Sequence, residues 1–334
     1  MIKINILILL VVSVALISCK TNTVKKTNSS VLVSWADGEI KSKIIDFVQR
    51  DTIDIPVKDR IAVFDMDGTI ACESPLWFEM YCAVAKLNDA LAQDSSLIQN
   101  KSYMYAKMLS ENPADTAVLN NWVTNEANYI DSMVWKAFEG CDHEDYVDYC
   151  TKYLTTTKNK DKDLVLGNMF YKPMLELITY LQDNQYQVYI VSGSLQGVIW
   201  SVVPLKTTLK KRDMLIGSSQ ILKPDYSNNK TRFIIQNGIY APKNVNAGKS
   251  DNIYARLGIQ PVFAFGNTTD DFDMLQYAIT NKHKGIGLLL NHNDPREYIY
   301  PPYHGKAEPK WKEKIDSFGG IVVDMKKTFI NLWK

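Results

Sequence analysis

The segment Ile61–Ala71 reads IAVFDMDGTIA. Four apolar residues, Ile61–Phe64, run directly into Asp65 and Asp67, one residue apart, and then into Gly68 and Thr69. A short apolar run with β-branched residues is the pattern of a strand covered on both faces, as in a parallel sheet. Burying one carboxylate is costly, and a second beside it adds repulsion. Positive charge must therefore gather at this strand end.

Outward from this stretch, strand and helix patterns alternate. Val31–Gln49 reads as an amphipathic lead-in helix. Ser74-Pro75 has the form of a helix start, with Ser as N-cap and Pro at the first position, and Pro75–Ala92 follows with helical spacing. Ala114–Phe138 and His143–Leu154 carry further helical patterns, and no strand pattern stands out between residues 72 and 165. Beyond that insert, the expected helices are Met174–Asp183, Gly197–Pro204, Lys249–Leu257 and Asp270–Ala278. The expected strands are Tyr186–Val191, Pro261–Phe265, Gly285–Leu290 and Gly320–Val323, with a small β region at Met214–Ile221 and Phe233–Ile235. Repeated strand–helix units imply an α/β fold, a doubly wound parallel sheet with an all-helical insert. The division that follows is a core over 41–71 and 166–334 and a cap over 72–165.

The chain has 334 residues, 46% apolar and 22% charged, with a formal net charge of +1. This is an ordinary globular composition, and its charge gives no reason to expect a nucleic-acid partner. At the N-terminus, Lys3 precedes a mostly apolar run that ends in Leu16-Ile17-Ser18-Cys19. The run is the length of a signal-peptide core and too short for a membrane span. The junction resembles a bacterial lipobox, which implies a signal peptide over 1–18 and lipidation of Cys19. Lys20–Ser30 is polar and lacks aromatics, and residues 19–40 are assigned to the lipidated cysteine and a flexible tether. Membrane attachment would be through the lipid anchor only, in the outer membrane, and on the periplasmic side rather than the surface because no acidic run follows Cys19. Cys72, Cys82, Cys141 and Cys150 remain, and an oxidising compartment permits bridges among them. Buried free thiols are the alternative, and connectivity is not readable from spacing.

In doubly wound sheets, ligands bind beyond the carboxyl ends of the strands. Three polar clusters fall at such places: Asp65 with Asp67, Ser192-Gly193-Ser194, and Gly266-Asn267-Thr268-Thr269-Asp270-Asp271; a fourth, Gly248-Lys249-Ser250-Asp251, places a lysine at an expected helix N-terminus. Singly, each has an ordinary reading. DMDGT is not an EF-hand loop, because glycine falls at position four and Leu76 at position twelve; GKS is not a Walker A fragment, because Lys243 stands where its first glycine belongs.

Together, DMDGT, VSGS, GKSDN and GNTTDDFDML resemble the four ordered motifs of the haloacid dehalogenase superfamily. The helical insert resembles the cap of its phosphoserine-phosphatase-like and phosphorylcholine-phosphatase-like branches. The resemblance implies a Mg²⁺-dependent phosphomonoester hydrolase acting on a small-molecule phosphate ester. Asp65 would be the nucleophile and Asp67 the general acid and base, with Asp65, the Asp67 carbonyl, Asn267 and Asp271 at the metal. Gly68, Thr69, Ser192, Gly193 and Lys249 would bind phosphate, the first two through backbone N–H groups. The fourth motif usually opens Gly-Asp. Asn267 therefore offers an oxygen without a charge, and Asp271, with Asp270, is expected to hold metal-bound waters. Glu73, with Trp77, is the candidate reader of an amine- or choline-bearing substrate by charge and cation–π contact. The favoured alternative makes Trp77, Phe78 and Tyr81 cap core. Asn291–Tyr298 (NHNDPREY) resembles a late motif of the same branch and is read as a structural loop with an Asp294–Arg296 pair. A non-catalytic phosphate-binding lipoprotein and another phosphotransfer reaction are the competing functions.

Overall fold

The computed structural model describes residues 31–113, 127–159, 161–297 and 310–333. The signal segment, Cys19, most of the tether, residues 114–126 of the expected insert helix and Tyr298 lie outside the described residues.

Among the described residues the strands in chain order are β1 (Ile61–Phe64), β2 (Lys158–Asn159), β3 (Leu164–Val165), β4 (Gln187–Leu195) and β5 (Leu215–Ser218). They continue with β6 (Gln220–Asp225), β7 (Arg232–Ile239), β8 (Phe263–Gly266), β9 (Ile286–Asn291) and β10 (Ile321–Asp324). Six of them form one sheet in the order β10-β9-β8-β1-β4-β5, and every pairing in it is parallel. β1 therefore lies centrally, between β8 and β4. Alternate side chains point to opposite faces. Ala62 and Phe64 enter one hydrophobic core with Phe263 and Phe265, whereas Ile61 and Val63 enter another with Val191, Ala264 and Leu289. This double burial is the α/β, doubly wound arrangement, and it explains why β1 is apolar at all four positions.

The first helices are α1 (Glu39–Asp54), α2 (Phe78–Gln93), α3 (Lys101–Glu111), α4 (Ala127–Phe138) and α5 (His143–Thr156). They are followed by α6 (Lys172–Asp183), α7 (Gln196–Lys206), α8 (Ala247–Leu257), α9 (Phe272–Ile279), α10 (Trp311–Ser317) and α11 (Met325–Thr328). α2, α3 and α4 pack on one another to form the insert, and α5 joins it to α7 of the core.

Several expectations are corrected. Residues 31–38 are not tether: Trp35 is buried, its indole N–H donates to the Pro173 carbonyl at 2.9 Å, and its ring meets Phe329. Trp35 and Leu32 are both buried in the core, so the core begins before residue 41. The lead-in helix starts at Glu39, and the cap helix starts at Phe78 rather than Pro75, because Trp77 is still extended (φ −81°, ψ 164°). Residues 72–77 instead run along the core, where the Cys72 N–H donates to the Met169 carbonyl at 2.8 Å. The insert is not wholly helical, since β2 and β3 form a short antiparallel ladder. Met214–Ile221 divides between β5 in the main sheet and β6 in a hairpin with β7. That hairpin joins the cap: the Gly140 N–H donates to the Ile235 carbonyl at 2.9 Å. All four described cysteines are free thiols.

Candidate active site

The four polar clusters meet at the carboxyl edge of β1, β4 and β8. β1 delivers Asp65 and the turn that follows. In that turn the Gly68 N–H donates to the Ala71 carbonyl at 2.7 Å and the Thr69 N–H to the Met66 carbonyl at 3.2 Å. Both N–H groups, which the resemblance would turn to phosphate, are engaged within the turn. Gly68 is obligatory for two reasons. Its φ is +75°, and a Cβ there would overlap the Asn267 amide and the Glu73 carboxylate.

Lys249, from the first turn of α8, is buried beneath the site. Its Nζ donates to Asp65 Oδ1 at 2.5 Å, Asp271 Oδ1 at 2.6 Å and the Val191 carbonyl at 2.9 Å. Burial alone lowers the Lys249 pKa, but Asp271 and Asp65 outweigh it and leave the ammonium held above its usual value. Asp65 is pushed well up by burial, against the pull of Lys249, and Asp271 and Asp67 push the same way. One ammonium shared with Asp271 does not fully offset the desolvation of Asp65.

Asp67 turns the other way, toward the end of β4. Its Oδ2 accepts from Ser194 Oγ at 2.7 Å and, at a long 3.4 Å, from Ser192 Oγ. The Ser192 hydroxyl also accepts the Ser194 N–H at 3.1 Å. Close packing of protein atoms raises the Asp67 pKa to about 7; Ser194 opposes this and the Glu73 charge adds to it. Ser192 and Gly193 are held from below. Asn244 donates to the Ser192 carbonyl at 2.9 Å, and Ser218 Oγ donates to the Gly193 carbonyl at 2.7 Å.

Asp271 and Asn267 come from the end of β8 and the turn before α9. Asp271 Oδ2 accepts the N–H groups of Asn267 at 2.8 Å and Thr268 at 3.0 Å. With its other oxygen on Lys249, Asp271 anchors the loop and the lysine. Asp270 is exposed at the outer side of the same turn. Asn267 is buried, with Nδ2 donating to Glu73 Oε1 at 2.5 Å and Oδ1 accepting from Thr69 Oγ1 at 3.2 Å. Glu73 therefore bonds the fourth motif.

Four contributors were not singled out from sequence. Ser194 and Asn244 look like ordinary turn residues. Glu79 sits in the buried face of α2, where its Oε1 accepts the Leu195 N–H at 2.7 Å. Burial raises its pKa to about 7, opposed by that N–H. A lone acid among apolar neighbours was the available signal. His292, in the loop read as structural, bonds the Gly68 carbonyl through Nε2 at 2.7 Å, with Nδ1 2.8 Å from Glu297 Oε2. The expected Asp294–Arg296 pair is present beside it. Trp77 is half-buried against the main core, with its indole N–H 3.4 Å from Glu79 Oε2.

The sequence profile of the haloacid dehalogenase-like hydrolases matches residues 62–276, well over half of the chain. The chain belongs to the haloacid dehalogenase-like hydrolases. Among solved structures it is similar to a protein of unknown function from Anaerococcus prevotii, at 14% identity and a TM-score of 0.52, over 82% of this chain and 89% of that one. It is also similar to a protein of unknown function from Bordetella pertussis, at 13% identity and a TM-score of 0.49, over 80% of this chain and 98% of that one. A phosphoserine phosphohydrolase-like protein from Francisella tularensis matches at 11% identity and a TM-score of 0.38, over 79% and 94% of the two chains. At these identities the first likeness speaks for the fold, and the two lower scores carry no argument. No curated protein matches the chain.

For a haloacid dehalogenase-like hydrolase, the question is whether these residues suit Mg²⁺. Among the described residues no group of three or more His, Cys, Asp or Glu side chains could hold a metal ion. The donors present are of another kind: a carboxylate at Asp65, an amide oxygen at Asn267 and the main-chain carbonyl of Asp67. Mg²⁺ takes hard oxygens and keeps several waters, so such a set fits it. Asp65 Oδ2 and Asn267 Oδ1 lie 3.3 Å and 3.2 Å from the same Thr69 hydroxyl. One hydroxyl proton cannot serve both acceptors. Asp67 Oδ1 is buried with no hydrogen-bond partner. Two oxygen acceptors converging on one hydroxyl, Asp65 Oδ2 and Asn267 Oδ1, are what a cation satisfies.

Proposed function

We propose that this hydrolase is a Mg²⁺-dependent phosphomonoesterase that works through an aspartyl-phosphate. The observation that carries the reading is the divergence of the two motif carboxylates: Asp65 sits on the Lys249 ammonium, whereas Asp67 sits on serine hydroxyls with its pKa near 7. A nucleophile must be ionised and a general acid protonated; the Lys249 ammonium pulls the buried Asp65 toward its ionised form, as a bound cation would, whereas Asp67 has serine hydroxyls at hydrogen-bond distance.

In this reading Asp65 attacks phosphorus in line, and the bond to the ester oxygen breaks as Asp67 gives that oxygen its proton. Asp67, now a carboxylate, takes a proton from the water that attacks the aspartyl-phosphate, releasing inorganic phosphate and restoring both groups. Lys249 and Ser192 face the charge on the transferring group. Asp65, the Asp67 carbonyl and Asn267 would hold Mg²⁺, which when bound neutralises phosphate charge and favours ionised Asp65. The substrate is a small phosphorylated metabolite. An amine- or choline-bearing ester would draw on the Trp77 ring by cation–π contact, since Glu73 bonds Asn267 and Glu79 bonds the Leu195 N–H.

The test is hydrolysis of p-nitrophenyl phosphate by the purified chain. Wild type should turn it over with Mg²⁺ and stop with EDTA, and Asp65→Asn should lose at least about 10³-fold. Turnover by Asp65→Asn equal to wild type would overturn the mechanism, and no turnover of any phosphate ester would favour a phosphate-binding lipoprotein. Equal rates on phosphorylcholine, phosphoethanolamine, phosphoserine and sugar phosphates would remove the cationic substrate.

The location follows from the N-terminal signal. We propose an acylated Cys19 on the periplasmic side of the outer membrane; no described helix is long and apolar enough to cross a membrane. Loss of palmitate labelling in Cys19→Ala tests it, and labelling retained in that variant would overturn it.

A further inference from the structure

The fourth motif presents an amide where a metal-binding carboxylate is usual, and Glu73 lies directly behind that amide. Asn267 Nδ2 donates to Glu73 Oε1 at 2.5 Å, and both side chains are buried. A carboxylate only accepts, so this contact identifies the nitrogen and turns Oδ1 to the opposite side. There Oδ1 meets Thr69 Oγ1 at 3.2 Å, on the side of Asp65. The N–H to carboxylate bond is charge-assisted, and it draws electron density through the amide onto Oδ1. The backbone leaves no slack for another arrangement. A Cβ at residue 68 would overlap both members of the pair, and the Asn267 N–H is tied to Asp271 at 2.8 Å.

We propose that Glu73 and Asn267 act together as a split carboxylate, in which Asn267 supplies the oxygen and Glu73, a positioning residue, supplies the charge and fixes the amide's orientation toward the cation. The inference rests on the reading that Asn267 ligates Mg²⁺. It removes Glu73 from substrate recognition. It also requires the two positions to be chosen together: aspartate at 267 would set two carboxylates against each other at hydrogen-bond distance, whereas aspartate at 267 with glutamine at 73 restores one charge, one donor and the same shape.

Isothermal titration of Mg²⁺ into the metal-stripped full chain in detergent, without substrate, tests this. Glu73→Gln keeps the size of the side chain and an acceptor for Nδ2 while removing the charge. It should weaken Mg²⁺ binding by about 10–100-fold, the range seen when outer partners of metal ligands are lost. Asn267→Asp alone should bind no more tightly than wild type. The double variant Glu73→Gln/Asn267→Asp should return to within about threefold of wild type, which a merely structural role for Glu73 would not produce. A Glu73→Gln affinity within twofold of wild type, or a double variant no better than Glu73→Gln, would overturn the split carboxylate. Asn267→Ala separates the two levels. If it weakens Mg²⁺ binding while Glu73→Gln does not, only the inference fails; if it leaves binding unchanged, the ligand reading beneath it fails as well. Melting curves in metal-free buffer check that each variant is folded.

Discussion

Ser194 Oγ donates to Asp67 Oδ2 at 2.7 Å, so the carboxylate assigned to proton transfer is held by the serine two residues beyond the motif serine, Ser192. This bond favours the ionised form and opposes the burial that raises the Asp67 pKa to about 7. In Ser194→Ala the pKa rises further. Hydrolysis that needs protonated Asp67 is lost as pH rises through that value, so the alkaline limb of the kcat profile should move upward. A bond worth about 1 kcal/mol corresponds to about 0.7 pH unit. An alkaline limb that stays in place or moves down would remove Asp67 as the general acid.

The raised values of Asp67 and Glu79 also make a statement about stability. Both carboxyls have folded pKa values near 7, above their ordinary values of 3.8 and 4.5. Their contribution is fully present below the ordinary values and is lost as pH rises toward about 7. Metal-free protein should therefore melt at lower temperature at pH 8 than at pH 5.5. Asp67→Asn and Glu79→Gln should each reduce that difference, and calorimetry in EDTA reads it directly.

Glu79 is also a mechanical tie between α2 and the end of β4. Glu79→Ala leaves the buried Leu195 N–H without its acceptor and should cost about 1–3 kcal/mol. Glu79→Gln retains an acceptor and should cost less at neutral pH. Denaturant unfolding of the two variants would separate the lost bond from the lost charge.

Lys249 is the counter-ion for two buried carboxylates, so Lys249→Met strands both. Breaking a buried pair in this way costs about 3–5 kcal/mol. Part of that loss should return at pH 5, where protonation removes the stranded charge. Denaturant midpoints at pH 5 and pH 8 measure this, and equal losses at both would mean that the lysine acts by packing alone.

Gly68→Ala meets two obstacles, a φ of +75° and overlap with the Asn267–Glu73 pair. Left-handed backbone costs an alanine about 1–2 kcal/mol before any clash. The variant should unfold at lower denaturant concentration and lose Mg²⁺ affinity in titration, because the pair it displaces is the one argued to hold the ion.

Much of this could be read from residue order. The all-apolar IAVF could only be a strand covered on both faces, since a half-exposed strand alternates. DMDGT at its end announced a charged site, and the cluster that opens at Gly266 announced where β8 stops. Trp35 was less legible: it follows the polar Lys20–Ser30 segment by a few residues, and only contact with Pro173 and Phe329 shows that the fold starts there. The cap helix was placed three residues early because Ser74-Pro75 satisfies a local capping rule that the tertiary path of residues 72–77 overrides.

The division between the two sources of information follows from the range of the forces involved. Local sequence determined the elements, the central β1 and the residue types at the strand ends, because apolar periodicity and turn chemistry act over a few residues. Tertiary structure decided the pairings. Glu73 stands eight residues after Asp65 in the chain, but its partner is Asn267, 194 residues away. The short bond to Asp67 comes from Ser194, 127 residues away, because β4 continues through Val191-Ser192-Gly193-Ser194-Leu195 and carries that hydroxyl to it. A hydrogen bond depends on angle and on tenths of an ångström, and those are set only when distant strands lie side by side in a sheet.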